Sequence, residues 1–273
     1  MLSTHHHCAR FHTYGHGVTT RCAPIAHSVS ATPSTPSATD ARAWWWHVPT
    51  GTYTRADLDL LDGVERARVD QMKSAEAAAE YISCRAAVRR ILAGVLEMPA
   101  TEISFGRNPC PGCGSEKHGP PAVVHPETKW QISISHSSGL GMLAVAPFRI
   151  GVDAEAVRDI PVDELAGSVL TSREHDAVLA APEGLGRTRA FLRCWTRKEA
   201  VLKAVGIGIV TDLTELETHA RTPGPAEVTT GALATPTTWH VADALVPDGW
   251  TAAVAVPAGV GGDITVQQLA FHG

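Results

Sequence analysis

Two carboxylates, Asp153 and Glu155, stand two positions apart in the apolar run Ile150-Gly151-Val152-Asp153-Ala154-Glu155. In an extended chain such residues point to one face, roughly 7 Å apart at Cα, so both acids can reach one hard cation such as Mg²⁺. Alternating Asp and Glu also mark ordinary solvated strand ends, so the pair needs a partner before it means anything. That partner is Cys194-Trp195-Thr196-Arg197-Lys198-Glu199-Ala200-Val201-Leu202-Lys203, where Trp195, Glu199 and Lys203 recur every fourth residue and share one helix face. On its own, Glu199 with Lys203 reads equally as a surface ion pair of little energetic weight. Facing the carboxylate strand, the same face completes a metal and phosphate site. A third stretch, Ser133-Ile134-Ser135-His136-Ser137, runs from a strand pattern into a polar turn, where hydroxyls and an imidazole can donate to phosphate oxygens.

These side chains need elements to hold them. Ala43-Trp44-Trp45-Trp46-His47-Val48 has the aromatic content of a half-covered strand and is expected to open the folded region. From Arg55 to Leu96 the pattern is helical, and two helices are expected, the second carrying Tyr81, Ile82, Val88, Ile91, Leu92 and Val95 at three- and four-residue steps and stopping before Pro99. Asn108 to Pro126 is rich in Gly and Pro and reads as a loop. Trp130, Ile132 and Ile134 alternate with polar residues, and short strands are expected at 143–146 and 149–153. Thr171-Ser172-Arg173-Glu174 has the form of a capping box, and a long helix is expected from about Arg187 to Val205, closed by Gly206. Further strand-like runs, Trp250 to Val256 and Ile264 to Val266, follow.

The bulk numbers exclude several classes. The 273 residues are 44% hydrophobic and 19% charged, so a globular core is affordable to this length. A formal net charge of -5 supplies no overall field for nucleic acid or anionic lipid. No stretch is long and apolar enough to span a membrane. Six cysteines at irregular positions, with no secretory signal, are expected to be reduced, and the protein is expected in the cytoplasm. Residues 1–40, rich in Ser, Thr, Ala, Pro and His, are expected to be a disordered tail. An upstream start codon, a targeting peptide and a metal-binding tract at His5, His6 and His7 are the competing readings for it.

Taken together and in order, Ser135-His136-Ser137, Gly151-Val152-Asp153-Ala154-Glu155 and Trp195-Thr196-Arg197-Lys198-Glu199-Ala200-Val201-Leu202-Lys203 resemble the signature of the 4′-phosphopantetheinyl transferase superfamily, in its surfactin-type single-chain branch. The resemblance runs from about Glu65 to Ile209. It implies a mixed α+β fold with pseudo-twofold symmetry, each half a small antiparallel sheet on a long helix: an N-terminal half over 41–148 and a C-terminal half over 149–273 that carries the metal site. It implies transfer of the phosphopantetheine arm from coenzyme A to a serine of apo acyl or peptidyl carrier proteins, with release of 3′,5′-ADP, by an enzyme of the holo-[acyl-carrier-protein] synthase type. Asp153, Glu155 and Glu199 match the family's Mg²⁺ ligands, and Glu199 is also placed to take the proton of the attacking serine. Lys203 matches the lysine at the transferred phosphate, and Ser135, His136 and Arg85 fall to coenzyme A. Trp195 is expected to pack. A monomer is expected, with no nucleic-acid or membrane partner.

Some positions depart from that pattern. Gly119-Pro120-Pro121 replaces a turn that carries a cation in relatives, and Glu80 stands where an arginine is expected, so Arg85, or Arg66 and Arg68, must substitute. If these changes abolished turnover, a module that only docks carrier proteins would remain. Cys110-Pro111-Gly112-Cys113, with His118 and His125 downstream, has the spacing of half a zinc site. With one CxxC it is read as a Gly-Pro turn with incidental thiols, and no metal is expected there.

Overall fold

The computed structural model describes residues 41–207, 212–221, 224–231, 237–260 and 264–269. The tail expected over 1–40 lies outside the described residues. The tryptophan run forms β1 (Arg42–His47), buried continuously from Ala43 to Trp46. Three helices follow, not two: α1 (Arg55–Leu60), α2 (Gly63–Asp70) and α3 (Ala75–Leu96). The caps explain the extra break. Thr54, Asp62 and Ser74 each take extended backbone and accept an amide three residues on, so each starts a new helix.

The segment read as one loop contains a strand. β2 (Ser104–Arg107) pairs antiparallel with β3 (Pro121–His125), and the leading prolines had masked the strand character of Ala122-Val123-Val124. β4 (Gln131–Ser137) and β5 (Leu140–Ala146) form a tight hairpin through Ser138 and Gly139, both at positive φ. β6 (Gly151–Ala156) extends past its expected end, so Glu155 lies within the strand. α4 (Val162–Val169) and α5 (Ser172–Leu179) come next, and both reciprocal bonds of the Thr171/Glu174 capping box are present. α6 (Leu185–Val205) ends at Gly206, left-handed at φ 86. β7 (Ala226–Thr230), β8 (Thr237–Asp243), β9 (Trp250–Pro257) and β10 (Thr265–Gln268) complete the chain.

The result is a mixed α+β fold with two four-stranded sheets, ordered β10-β1-β5-β4 and β6-β9-β8-β7. Helix α3 covers the first sheet by packing Val88 and Leu92 against Trp44, Trp46 and Leu143. Helix α6 covers the second, with Phe191, Val201 and Val205 against Val241, Ala253 and Ala255. The inner faces meet through mostly small side chains, among them Ala43, Met142 and Ala144 against Val152, Ala154 and Val254. One pair is not antiparallel: β10 runs parallel to β1, which returns the end of the chain to the first sheet. Among the described residues no helix is long and apolar enough to cross a membrane.

One close approach sets the register of helix on strand. A Cβ on Gly151 would lie 1.8 Å from the Ala200 carbonyl oxygen and 2.6 Å from the Ala204 nitrogen. Only a glycine lets α6 backbone rest on β6 here, because both partners are backbone atoms that cannot swing aside. Gly151→Ala is therefore expected to destabilise the protein by about 3 kcal/mol, the upper range for overpacking, read as a lower urea midpoint at unchanged slope. An unshifted midpoint would show that the helix is free to retreat.

Candidate active site

Strands β4 and β6 belong to different sheets yet run side by side, joined by side chains. Val152, Ala154 and Ala156 donate their amides to the hydroxyls of Ser133, Ser135 and Ser137 at 3.0, 3.3 and 3.3 Å. The alternation of serine with Ile132, Ile134 and His136 puts all three hydroxyls on one face of β4. Two of them turn to the acids: Ser135 donates to Asp153 Oδ1 at 2.9 Å and Ser137 to Glu155 Oε2 at 2.8 Å.

Helix α6 supplies the opposite wall. Lys203 Nζ donates to Asp153 Oδ1 at 2.6 Å and to Ser135 Oγ at 3.1 Å. Asp153, Glu155, Glu199, Lys203, Trp195, Ser135 and His136 thus line one pocket of about 310 Å³. Asp153 Oδ2 and Glu199 Oε1 are buried there without a hydrogen-bond partner. Burial and the nearby Asp153 and Glu155 carboxylates push Glu199 up from 4.5 to about 7, against the pull of Lys203. Burial also raises Glu155, with Asp153 adding to the rise and the Ser137 hydrogen bond opposing it.

Two buried acid oxygens with no partner, one of them on Glu199, whose carboxyl burial keeps from ionising, are what a hard divalent cation would satisfy. The residues present fit such an ion. The three acids nonetheless do not converge to ligand spacing by themselves: among the described residues the trio of ligating side chains whose donor atoms all lie within 4.8 Å of one another is Cys110, Cys113 and His118. Lys203 occupies one oxygen of Asp153.

A second cleft, of about 340 Å³, opens beside the acidic pocket and shares Ile134, His136 and Lys203 with it. Arg68, Arg85, Arg107 and Lys203 line it together with His118 and His136, so it carries four positive side chains, of which Arg85 is paired with Glu65 and Lys203 with Asp153. Arg85 is aimed by an ion pair to Glu65 and by stacking over Phe105, 4.3 Å from the ring centre. Arg107 donates to the Gly119 carbonyl at 2.7 Å. It was missed in the sequence; the cation absent from Gly119-Pro120-Pro121 is supplied from the end of the paired strand β2. The signal that could have found it is a lone arginine at a strand end opposite the proline turn. Arg66 turns elsewhere, to the Leu61 carbonyl and Asp59. Glu80 stands 3.5 Å from His136 Nδ1.

The other charges of the α6 motif are anchors. Arg197 and Lys198 are fully buried. Lys198 meets Glu174 Oε2 at 2.7 Å and the carbonyls of Leu213 and Leu216, while Arg197 meets Asp243 and the carbonyls of Thr218 and Gly224. These bonds fix the rotation of α6, and so the direction in which Glu199 and Lys203 point. Trp195 packs against the same core while edging the pocket, as its apolar area suggested.

Comparison with known proteins agrees with the geometry. A family model described as the 4′-phosphopantetheinyl transferase superfamily matches residues 149–255. The 4′-phosphopantetheinyl transferase HetI of Nostoc sp. is 30% identical over 223 residues, covering 79% of this chain and 87% of its own length. A putative 4′-phosphopantetheinyl transferase of Synechocystis sp. is 28% identical over 55% of this chain and 58% of its own. The human L-aminoadipate-semialdehyde dehydrogenase-phosphopantetheinyl transferase is 23% identical over 63% and 59%.

The raised Glu199 carboxyl sets a pH dependence of stability. Below pH 4.5 both folded and unfolded chains hold the proton; as pH climbs to about 7 the unfolded chain ionises first, and the stability carried by the protonated form is lost. With divalent ions chelated, Glu199→Gln is expected to melt higher than the parent at about pH 8.5 and to match it near pH 4.5. Melting curves that differ by the same amount at both ends would contradict this electrostatic account.

Proposed function

We propose that this chain, which belongs to the 4′-phosphopantetheinyl transferase superfamily, transfers the phosphopantetheine arm of coenzyme A to a serine of apo acyl or peptidyl carrier proteins, with Mg²⁺ as cofactor and 3′,5′-ADP as leaving group. The observation that carries the proposal is the junction of an acidic pocket with a cationic cleft at Lys203 and His136. One compartment suits a cation, the other a polyphosphate, and the reaction needs both at one phosphorus.

The serine hydroxyl attacks the phosphorus next to pantetheine; a new P–O bond forms while the bond to the 3′,5′-ADP oxygen breaks, and the serine proton must leave. Glu199 takes that proton. The value of about 7 belongs to the ion-free site; a bound cation would lower it, so that Glu199 stands ionised and ready to accept the proton at neutral pH. Mg²⁺, held by Asp153, Glu155 and Glu199, would offset the pyrophosphate charge that repels the nucleophile and grows on the leaving oxygen. Lys203 adds a positive charge on the phosphate side, and Ser135 and Ser137 keep Asp153 and Glu155 turned inward. Arg68, Arg85 and Arg107, with His136, hold the phosphates of coenzyme A by charge-assisted hydrogen bonds. We assign the chain to the single-chain branch of the family, acting in the cytoplasm as a monomer because one polypeptide carries both halves.

Incubation with coenzyme A, Mg²⁺ and an apo carrier protein should raise the carrier mass by one phosphopantetheine. Asp153→Ala and Glu199→Gln are each expected to lower kcat by roughly a hundredfold or more, with folding retained by circular dichroism. Arg107→Ala should raise KM for coenzyme A while sparing kcat, since its bond is made before and during reaction alike. A fully active Asp153→Ala overturns the metal assignment. Carriers that bind yet gain no mass across a broad panel would leave the chain a docking module.

A further inference from the structure

The loop that leads from β2 to β3 carries Cys110, Cys113 and His118, which the sequence reading took as a turn with incidental thiols. The structure brings these three donors to one point. Their ligand atoms lie within 4.8 Å of one another, and Cys113 Sγ is 3.3 Å from His118 Nε2. Zinc bonds of about 2.3 Å to sulfur and 2.0 Å to nitrogen, at tetrahedral angles, require donors roughly 3.5 Å apart, so small side-chain movements suffice. His125, at the far end of β3, takes no part.

The backbone is already shaped for such a site. Cys110 donates its amide to the Ser115 carbonyl at 2.9 Å, and Gly114 donates to the Cys110 carbonyl at 2.7 Å with φ at 75, so the turn after Cys113 is closed and left-handed. Cys110 is a buried residue, 3% exposed, and backbone amide bonds from Cys113 and Gly112 hold its thiol below the ordinary value. Amide donors around a sulfur favour its thiolate, the form that binds metal. Cys113 and His118 are exposed and leave an open side. All four described cysteines are free thiols, so both sulfurs are available.

The loop also has something to hold. Pro111 and Pro120 sit against Gly206, the cap of α6, and His118, Gly119 and Pro120 form part of the cationic cleft. Backbone bonds at Asn108, Cys110 and Gly114, with the Arg107 bond to the Gly119 carbonyl, hold the two ends of the loop, and an ion between Cys113 and His118 would tie its exposed middle. We propose that Cys110, Cys113 and His118 bind one zinc ion, with a solvent molecule in the fourth position, and that the ion fastens this loop against the end of α6. Two thiolates and an imidazole select zinc over magnesium, so the site is chemically separate from the three acids.

The test uses the purified full chain, loaded with zinc, dialysed and assayed for metal by mass spectrometry. One zinc per chain is expected in the parent, most of it lost in Cys113→Ser and in the double variant Cys113→Ser/His118→Ala. Both positions are exposed, so the variants should keep the parent circular dichroism. Cobalt loaded in place of zinc should give the parent a thiolate-to-metal charge-transfer band that Cys113→Ser weakens. A zinc-selective chelator with Mg²⁺ present should lower the parent Tm and leave the double variant unmoved. Zinc retained in full by the double variant, a parent that retains none, or a Cys110–Cys113 disulfide in protein kept under anaerobic conditions would each overturn the proposal. None of these readouts depends on transferase activity.

Discussion

At the junction of the two sheets, a hydroxyl replaces the carbonyl that a neighbouring strand would ordinarily offer. Ser133, Ser135 and Ser137 each accept one amide of β6, so the edge of one sheet is satisfied by side chains of the other. A serine hydroxyl can accept and donate at once, and the spare proton of Ser135 and Ser137 goes to Asp153 and Glu155. Each of these two residues therefore does two things: it closes the seam and turns an acid toward the pocket. An alanine there would leave a buried amide unpaired, at a cost of about 1–3 kcal/mol, as well as a loose carboxylate.

Charge is divided along α6 by depth. Arg197 and Lys198 are buried and fully bonded, and removing one member of such a pair leaves an uncompensated ion, worth about 3–5 kcal/mol. Glu199, next in sequence, has the opposite condition: a buried oxygen without a partner and a carboxyl that resists ionisation. The first two hold the helix so firmly that the third can be kept in an unfavourable state. Gly151 contributes from the other side by letting the helix come down to the strand.

The arginines and the lysine of the cationic cleft come from four elements, with Arg68 on α2, Arg85 on α3, Arg107 on β2 and Lys203 on α6. No two of these are neighbours in sequence. Where one expected cation is missing at Pro120, Arg107 reaches the same turn by bonding the Gly119 carbonyl. Glu80, the other departure, lies against His136 and not within the arginine group. The net charge of the chain, -5, gives no hint of this local field.

The local and the periodic were readable in the residues themselves. Asp153 and Glu155 on one face of a strand, Glu199 and Lys203 on one face of a helix, the Thr171 capping box and the Gly206 cap all follow from rules that span a few residues. The break between α1, α2 and α3 was locally encoded in Thr54, Asp62 and Ser74 and could have been read there. What could not be read is who meets whom across the chain. Arg107 beside Gly119, Ser135 beside Asp153, and Cys110 beside His118 depend on strand pairing and on a turn closed by backbone bonds, in which side-chain chemistry has almost no vote. Sequence fixes which groups a chain owns and which way each faces on its own element; only the packing of elements, driven by nonspecific burial of apolar surface, brings those faces within bonding distance.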